Sequence, residues 1–238
     1  SVCLGVFALN TGKNNRDMTE LYLNINTPFV PVTQTNYYDA QFSANYSNAL
    51  QLQNIAGNVY LSYMFKEFAT SGRRSVNFAA LNPQQNTLLF QNCITNSASN
   101  EGGISMAIDK TTQNPFFAWH AQYPNDLIGN VYLAADYFSF ANEFGRISNP
   151  LLVIENTSDE FCYISPSVYI GPAPNNQGRR IYVFALNAGA KPNGQPSSNV
   201  KMAFADFNNS LFENENLVLN WQYRCFDYLN AIHHTPLT

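Results

Sequence analysis

The residues best equipped for chemistry in this chain are its paired cations and a few scattered carboxylates. Arg73-Arg74 and Arg179-Arg180 are doublets at the edges of turn-forming stretches, and a guanidinium fork matches a carboxylate bidentately. Asp159-Glu160 sets two carboxylates side by side in a polar stretch, where a solvated charge pair is the ordinary state. Asp109-Lys-Thr-Thr112 could offer oxygens to a cation, yet it holds one carboxylate and calcium takes roughly six to eight oxygen ligands. The simpler expectation there is an Asx turn, with the carboxylate accepting backbone N–H groups two or three residues on. His120 follows Trp119 in an apolar run and reads as a core histidine, and His233-His234 is an adjacent pair in a terminal stretch. No G-x-S-x-G nucleophile elbow is present. Cys3, Cys93, Cys162 and Cys225 form no CxxC or Cys/His cluster with zinc spacing. The expectation is no catalytic residue, no metal and no cofactor.

Those residues must be held by strands, because strand signals dominate the chain. Arg180 to Leu186 (RIYVFAL) has a near-copy in Cys3 to Leu9 (CLGVFAL), and Asn58 to Met64 and Asn114 to His120 fall into the same slot. Each is followed by a second apolar run: Ser75 to Leu81, Asn130 to Asp136, and Asn199 to Asp206. A third follows those: Thr87 to Ile94, Pro150 to Ile154, and Leu217 to Arg224. Weaker runs at Asn45 to Gln53, Gly103 to Asp109 and Ser165 to Ile170 precede each complete set. A unit of three or four strands thus recurs about every 55 to 70 residues, the signature of a repeat architecture. Phe116-Phe-Ala-Trp119 is continuously apolar, as expected of a strand buried on both faces. Phe138 to Phe144 is the one helix-like patch.

The fold class that follows is all-β, a β-propeller-like array of about four four-stranded units. A β-sandwich gives no reason for such a unit to recur. The units read as 1–42, 43–101, 102–160 and 161–228 in one domain, with a tail at 229–238. The first starts at its second strand, so the tail could complete it in a four-bladed ring; part of a larger propeller is the alternative.

Composition narrows the class. Of 238 residues, only 12 % are charged while 14 % are aromatic, and the charged share is about half the usual one. The polar surface falls to Asn, Gln, Ser and Thr, as in many secreted β proteins. Net charge is −4 with no basic cluster, which argues against a nucleic-acid partner. No apolar run approaches the roughly 20 residues that span a bilayer as a helix. The first residue is Ser1 rather than Met, which points to a processed or excised chain. The four cysteines allow three pairings if all are bridged; buried free thiols and a single bridge stay equally open, with Cys93 and Cys225 not paired to each other.

Ile104-Ser-Met-Ala-Ile-Asp-Lys-Thr-Thr-Gln-Asn-Pro-Phe-Phe-Ala-Trp119 resembles a repeat of large secreted multidomain bacterial surface proteins, written S-x-A-x-D-x-T-T-G-N-P-x-x-x-W. Tyr169-Ile-Gly-Pro-Ala-Pro174, Arg179-Arg-Ile-Tyr-Val-Phe184 and Asn199 to Phe207 are similar to the same group, over roughly residues 100 to 228. The resemblance implies propeller-like modules and export, often with a C-terminal sorting domain, and transfers no catalytic residue. Gln113 stands where that pattern carries Gly, so a different backbone conformation is expected in this turn.

On function, a sialidase-type propeller would need an arginine cluster, a Tyr/Glu nucleophile pair and an acid, and its S-x-D-x-G-x-T-W box is absent. The expectation is a non-catalytic extracellular module for binding, adhesion or scaffolding. A self-assembling structural protein and a glycan-active propeller enzyme are the alternatives. Arg73, Arg74, Tyr123 and Asp126 are the candidate ligand contacts, because their loops join second and third strands and should share a face. The partner expected is a glycan, a protein or another copy of the chain.

Overall fold

A computed structural model describes residues 5–10, 18–24, 29–34, 50–55, 57–66, 74–82, 84–85, 87–94, 100–122, 130–137, 146–155, 163–174, 178–187, 199–208 and 211–227. These form an all-β, propeller-like array of four antiparallel sheets and a separate two-stranded hairpin. Sheet one has three strands, β1 (Gly5–Asn10), β2 (Met18–Asn24) and β3 (Phe29–Gln34). Sheet two has β4 (Leu50–Ile55), β5 (Asn58–Lys66), β6 (Arg74–Asn82) and β7 (Thr87–Cys93). Sheet three has β8 (Asn100–Ile108), β9 (Pro115–Gln122), β10 (Asn130–Ala135) and β11 (Leu151–Ile154). Sheet four has β12 (Tyr163–Pro172), β13 (Arg179–Asn187), β14 (Asn199–Phe207) and, after a small hairpin of β15 (Phe212–Glu213) and β16 (Asn216–Leu217), β17 (Gln222–Asp227).

Three of the four recurring segments occupy equivalent places. β5, β9 and β13 are each the second strand of a four-stranded meander, whereas β1 is the first of the three strands described in its sheet. Chain order equals spatial order in every sheet, as short turns between antiparallel neighbours dictate. The sheets face one another, and β9 shows why its sequence is unbroken apolar. Phe116, Phe117, Ala118 and Trp119 are all fully buried, but they serve two cores. Phe116 and Ala118 pack with Ile181, Val183 and Ala203 of sheet four. Phe117 and Trp119 pack with Tyr60 and Phe78 of sheet two, where Phe78 meets Phe117 edge-on at 4.7 Å. A strand sandwiched between two sheets has no polar face to alternate with.

Neighbouring sheets run in the same sense. Ser105 Oγ on β8 accepts the Val168 N–H of β12 at 3.2 Å. Just past the end of β8, Asp109 reaches Arg179, whose backbone pairs with Pro172 at the end of β12. Tyr60, near the start of β5, stacks on Phe78 at 4.9 Å, and Phe78 contacts Phe117 near the start of β9. The turns from first to second strands therefore lie at one end of sheets two to four, and the strand ends leading from second to third strands lie at the other.

The structure corrects one strand assignment. The fourth strand of the last unit is β17, not Leu217 to Arg224. Leu217 closes the β15–β16 hairpin and is buried, with Leu211, in the core between sheets three and four. The hairpin turns at Asn214, whose φ is 55°, and is tied to sheet three by Asn149 N–H donating to the Glu215 carbonyl at 2.8 Å. Its apolar residues are explained by that docking. β8 begins at Asn100, so the expected 101/102 unit boundary falls inside a strand. Cys225 on β17 is a free, exposed thiol; Cys93 ends β7, while Cys3 and Cys162 lie outside the described residues, as does the patch at Phe138 to Phe144.

Candidate functional site

At the end of the sheets that carries the first-to-second turns, Asp109, Arg179, Arg180 and Asp206 are committed to holding the fold. Asp109 is 1 % exposed. Its Oδ1 accepts the Thr111 N–H at 3.1 Å and its Oδ2 accepts the Thr112 hydroxyl at 2.7 Å, which is the expected Asx turn. Sequence reasoning missed the third contact: Arg179 Nε sits 3.0 Å from Oδ2 across the sheet interface. That N–H is not aimed along the line, so the contact is an ion pair rather than a hydrogen bond. The same guanidinium donates to the Asn208 carbonyl at 3.3 Å and covers the Phe207 ring at 4.8 Å. The available clue was Gly178 directly before the doublet. Its φ is +109°, and a Cβ there would lie 2.8 Å from the Phe207 carbonyl oxygen. Only glycine lets the chain enter β13 at that spot.

The turn after Asp109 departs from expectation in an informative way. Gln113, standing where glycine was expected, takes the left-handed conformation with φ of 62°. Its N–H donates to the Asp109 carbonyl at 2.6 Å, and Asp109 N–H donates to Asn114 at 3.0 Å. The backbone conformation is kept and the side chain is strained into it.

Arg180 donates through Nε and an Nη to the two carboxylate oxygens of Asp206 at 2.5 and 2.7 Å. The paired guanidinium holds the Asp206 carboxyl below the usual aspartate range, and Asp206 in turn raises the arginine. Asp136, 1 % exposed at the end of β10, lies near enough to Tyr60 to disfavour a phenolate. Burial, chiefly, and then this carboxylate push the Tyr60 phenol well above its ordinary value, so Tyr60 is unsuited to serve as a nucleophile. Each arginine of the 179–180 doublet thus has a carboxylate of its own. His120 is half-buried on β9. Among the described residues no group of three or more His, Cys, Asp or Glu is placed to hold a metal ion.

Of the expected ligand contacts, Arg74 alone lies among the described residues, and it stands at the opposite end. Arg74 opens β6 and pairs in register with Lys66, the last residue of β5. Asn130 opens β10 opposite Ala121, one residue before the end of β9 at Gln122, and the Asn187 and Asn199 ends of β13 and β14 complete the set. Because sheets two to four run in the same sense, all these strand ends lie at the same end of them. Arg73, Tyr123 and Asp126, like His233 and His234, lie outside the described residues.

No protein-family model matches the chain, and no curated protein matches it in sequence. Among the described residues no helix is long and apolar enough to cross a membrane. Solved structures of similar fold include an endo-arabinase from Bacteroides thetaiotaomicron, 14 % identical, covering 85 % of this chain and 71 % of its own, with a TM-score of 0.47. A thermostable family-43 glycoside hydrolase is 12 % identical over 86 % of this chain and 67 % of its own, with a TM-score of 0.46. A Hadza microbial sialidase is 11 % identical over 79 % of this chain and 42 % of its own, with the same TM-score. These neighbours are named as an endo-arabinase, a glycoside hydrolase and a sialidase, and against that finding two expectations are withdrawn as they stood: that the chain is a non-catalytic binding, adhesion or scaffolding module, and that it is no enzyme. The physical reason is that a repeat fold assembles a site from loops tens of residues apart. The lack of a nucleophile, base and orienter at short spacing was therefore no argument against catalysis.

Proposed function

We propose that this chain is the propeller of a glycan-active enzyme, cleaving glycosidic bonds at the end of the array where second-to-third strand loops emerge. One observation carries the reading: the common sense of sheets two, three and four. It brings to a single end the strand termini that bound residues 67–73, 123–129 and 188–198 and those that bound residues 95–99 and 156–162. Those segments hold Glu67, Arg73, Tyr123, Asp126, Asp159 and Glu160. Glycoside hydrolysis asks for a pair of carboxyl groups, one protonating the leaving oxygen and one acting as base or nucleophile. Asp126 and the Asp159-Glu160 pair, from successive units, are the candidates. Arg73 would steer an anionic or hydroxyl-rich substrate, and Tyr123 would offer a face to a sugar ring. The resemblance to secreted multidomain repeats supports an extracellular location, where a polysaccharide is the fitting partner.

The test is a panel of fluorogenic glycosides and polymeric arabinan, sialylated and neutral glycans, read by fluorescence and reducing-end release. Turnover that falls by about 10²–10⁴ in kcat in Asp126→Asn, Asp159→Asn or Glu160→Gln, the scale of a lost general acid or base, supports the assignment. Folded protein that binds glycans and turns over none of them overturns it.

A further inference from the structure

The second and third strands of sheets two, three and four repeat one slot, and sheet three fills it differently. In register, Met64 pairs with Val76 in sheet two, His120 with Val131 in sheet three, and Leu186 with Val200 in sheet four. The slots are equivalent, each lying two positions beyond the pairs Ser62–Phe78, Ala118–Leu133 and Phe184–Met202. The third strand supplies valine every time. The second supplies Met or Leu and, in sheet three, an imidazole. A half-buried histidine where the repeat keeps apolar residues breaks a local rule, and such departures fall at functional or strained sites.

The backbone beside that slot departs from regular pairing as well. Between Gly102 and Ser105 of β8, two residues oppose Trp119 alone, and Gly103 takes a φ of 60°, so a left-handed glycine opens a bulge here. β12 is bulged at the same level. Its Ser165 and Pro166 oppose Ala185, between the pairs Ile164–Leu186 and Ser167–Phe184. Pro166 is buried, and a bulge is one of the few places within a sheet that accept a residue with no N–H to donate. β4, by contrast, pairs with β5 one to one as far as Leu50–Tyr63. Phe116 and Ala118 pack against sheet four, and strand alternation puts His120 on the same side, where β9 meets β12. His120 thus stands between two bulged inner strands, toward the end at which the glycan site is proposed. Residues 123–129, with Asp126, begin three positions on. Bulges gather beside active sites because they re-aim side chains and end pairing.

We propose that His120 is a substrate-binding residue of that site, its imidazole hydrogen-bonding a hydroxyl of the glycan. The inference rests on the glycan-active reading and adds to it a residue held by a strand rather than a loop. A neutral imidazole suits a sugar hydroxyl, because each offers a donor and an acceptor.

The repeat itself supplies the test variant. His120→Leu gives sheet three the residue that sheet four carries in the slot, so the full chain should fold with a urea midpoint equal to or above that of the unaltered protein. On the glycan that the unaltered chain turns over, KM should rise by about tenfold or more while kcat changes less, the pattern of lost substrate binding. His120→Gln, which keeps a hydrogen-bonding group, should recover part of that loss. An unchanged KM in folded His120→Leu overturns the proposal and leaves the glycan-active reading standing. A midpoint that falls in His120→Leu and returns in His120→Gln assigns the side chain to the fold and equally overturns it. If the unaltered chain turns over no glycan, the glycan-active reading fails by its own test, and affinity electrophoresis in gels containing arabinan decides His120 separately. Retardation that weakens in His120→Leu upholds the binding role; retardation that is unchanged, or absent from both proteins, overturns it.

Discussion

Asp109 illustrates how one side chain can serve a turn and an interface together. Its carboxylate accepts from Thr111 and Thr112 within its own sheet and pairs with Arg179 of the next. Removing one partner of a buried ion pair leaves the other uncompensated, which costs about 3–5 kcal/mol. Asp109→Ala should therefore lose about that much stability in urea unfolding, and Asp109→Asn less, since the amide oxygen can still cap the turn. Gln113 predicts the opposite sign. Relief of its left-handed φ outweighs the larger unfolded-state freedom of glycine, so Gln113→Gly should stabilise by roughly 0.5–1 kcal/mol in the same assay. Asp206 answers to pH. Its folded-state pKa is depressed by Arg180, so the pair's contribution is present above the ordinary aspartate range and disappears as pH falls through the depressed value. In Arg180→Met, the Asp206 carboxyl followed by NMR should titrate at higher pH than in the unaltered chain.

Elements were the most legible level of the sequence, for a physical reason that also marks where legibility stopped. Segments such as Arg180 to Leu186 are β-branched, aromatic and bounded by turn formers, so their strand state is set locally. The Asx turn at Asp109 was legible on the same ground. The β15–β16 hairpin was not, because Leu217 is apolar in order to fill the core between two sheets rather than to extend a strand. The Asp109–Arg179 pair was equally invisible, because its partners lie 70 positions apart in the chain. The entry to β13 gives the test at this scale. Gly178→Ala would set a Cβ against the Phe207 carbonyl at a positive φ. It should destabilise by about 1–3 kcal/mol by denaturant titration, with the loss concentrated in sheet four.

At the scale of the molecule, the largest buried side chains lie between sheets. Trp119 is the largest fully buried side chain and lies against Tyr132 with ring centroids 6.1 Å apart. Trp119→Ala should cost roughly 3–5 kcal/mol, as for other core aromatics cut to Ala. Its indole N–H has no acceptor among the described residues, so Trp119→Phe loses volume but strands no partner and should cost far less. A Phe variant as damaging as Ala would mean that the indole N–H is engaged after all. The location of the candidate catalytic carboxylates was the least legible feature. Strand periodicity identifies which loops share an end, but not which side chains there converge.

β9 belongs to two cores at once, and this bears on the order in which the chain assembles. Neither core can complete until β9 is in place, while either outer neighbour can dock or detach with the loss of only one. Sheet three should therefore form the nucleus, with flanking sheets added in either order. In native-state hydrogen exchange, the amides of β9 should be the last to open, requiring the full global unfolding free energy, while those of β17 at the outer margin should open through a smaller local event.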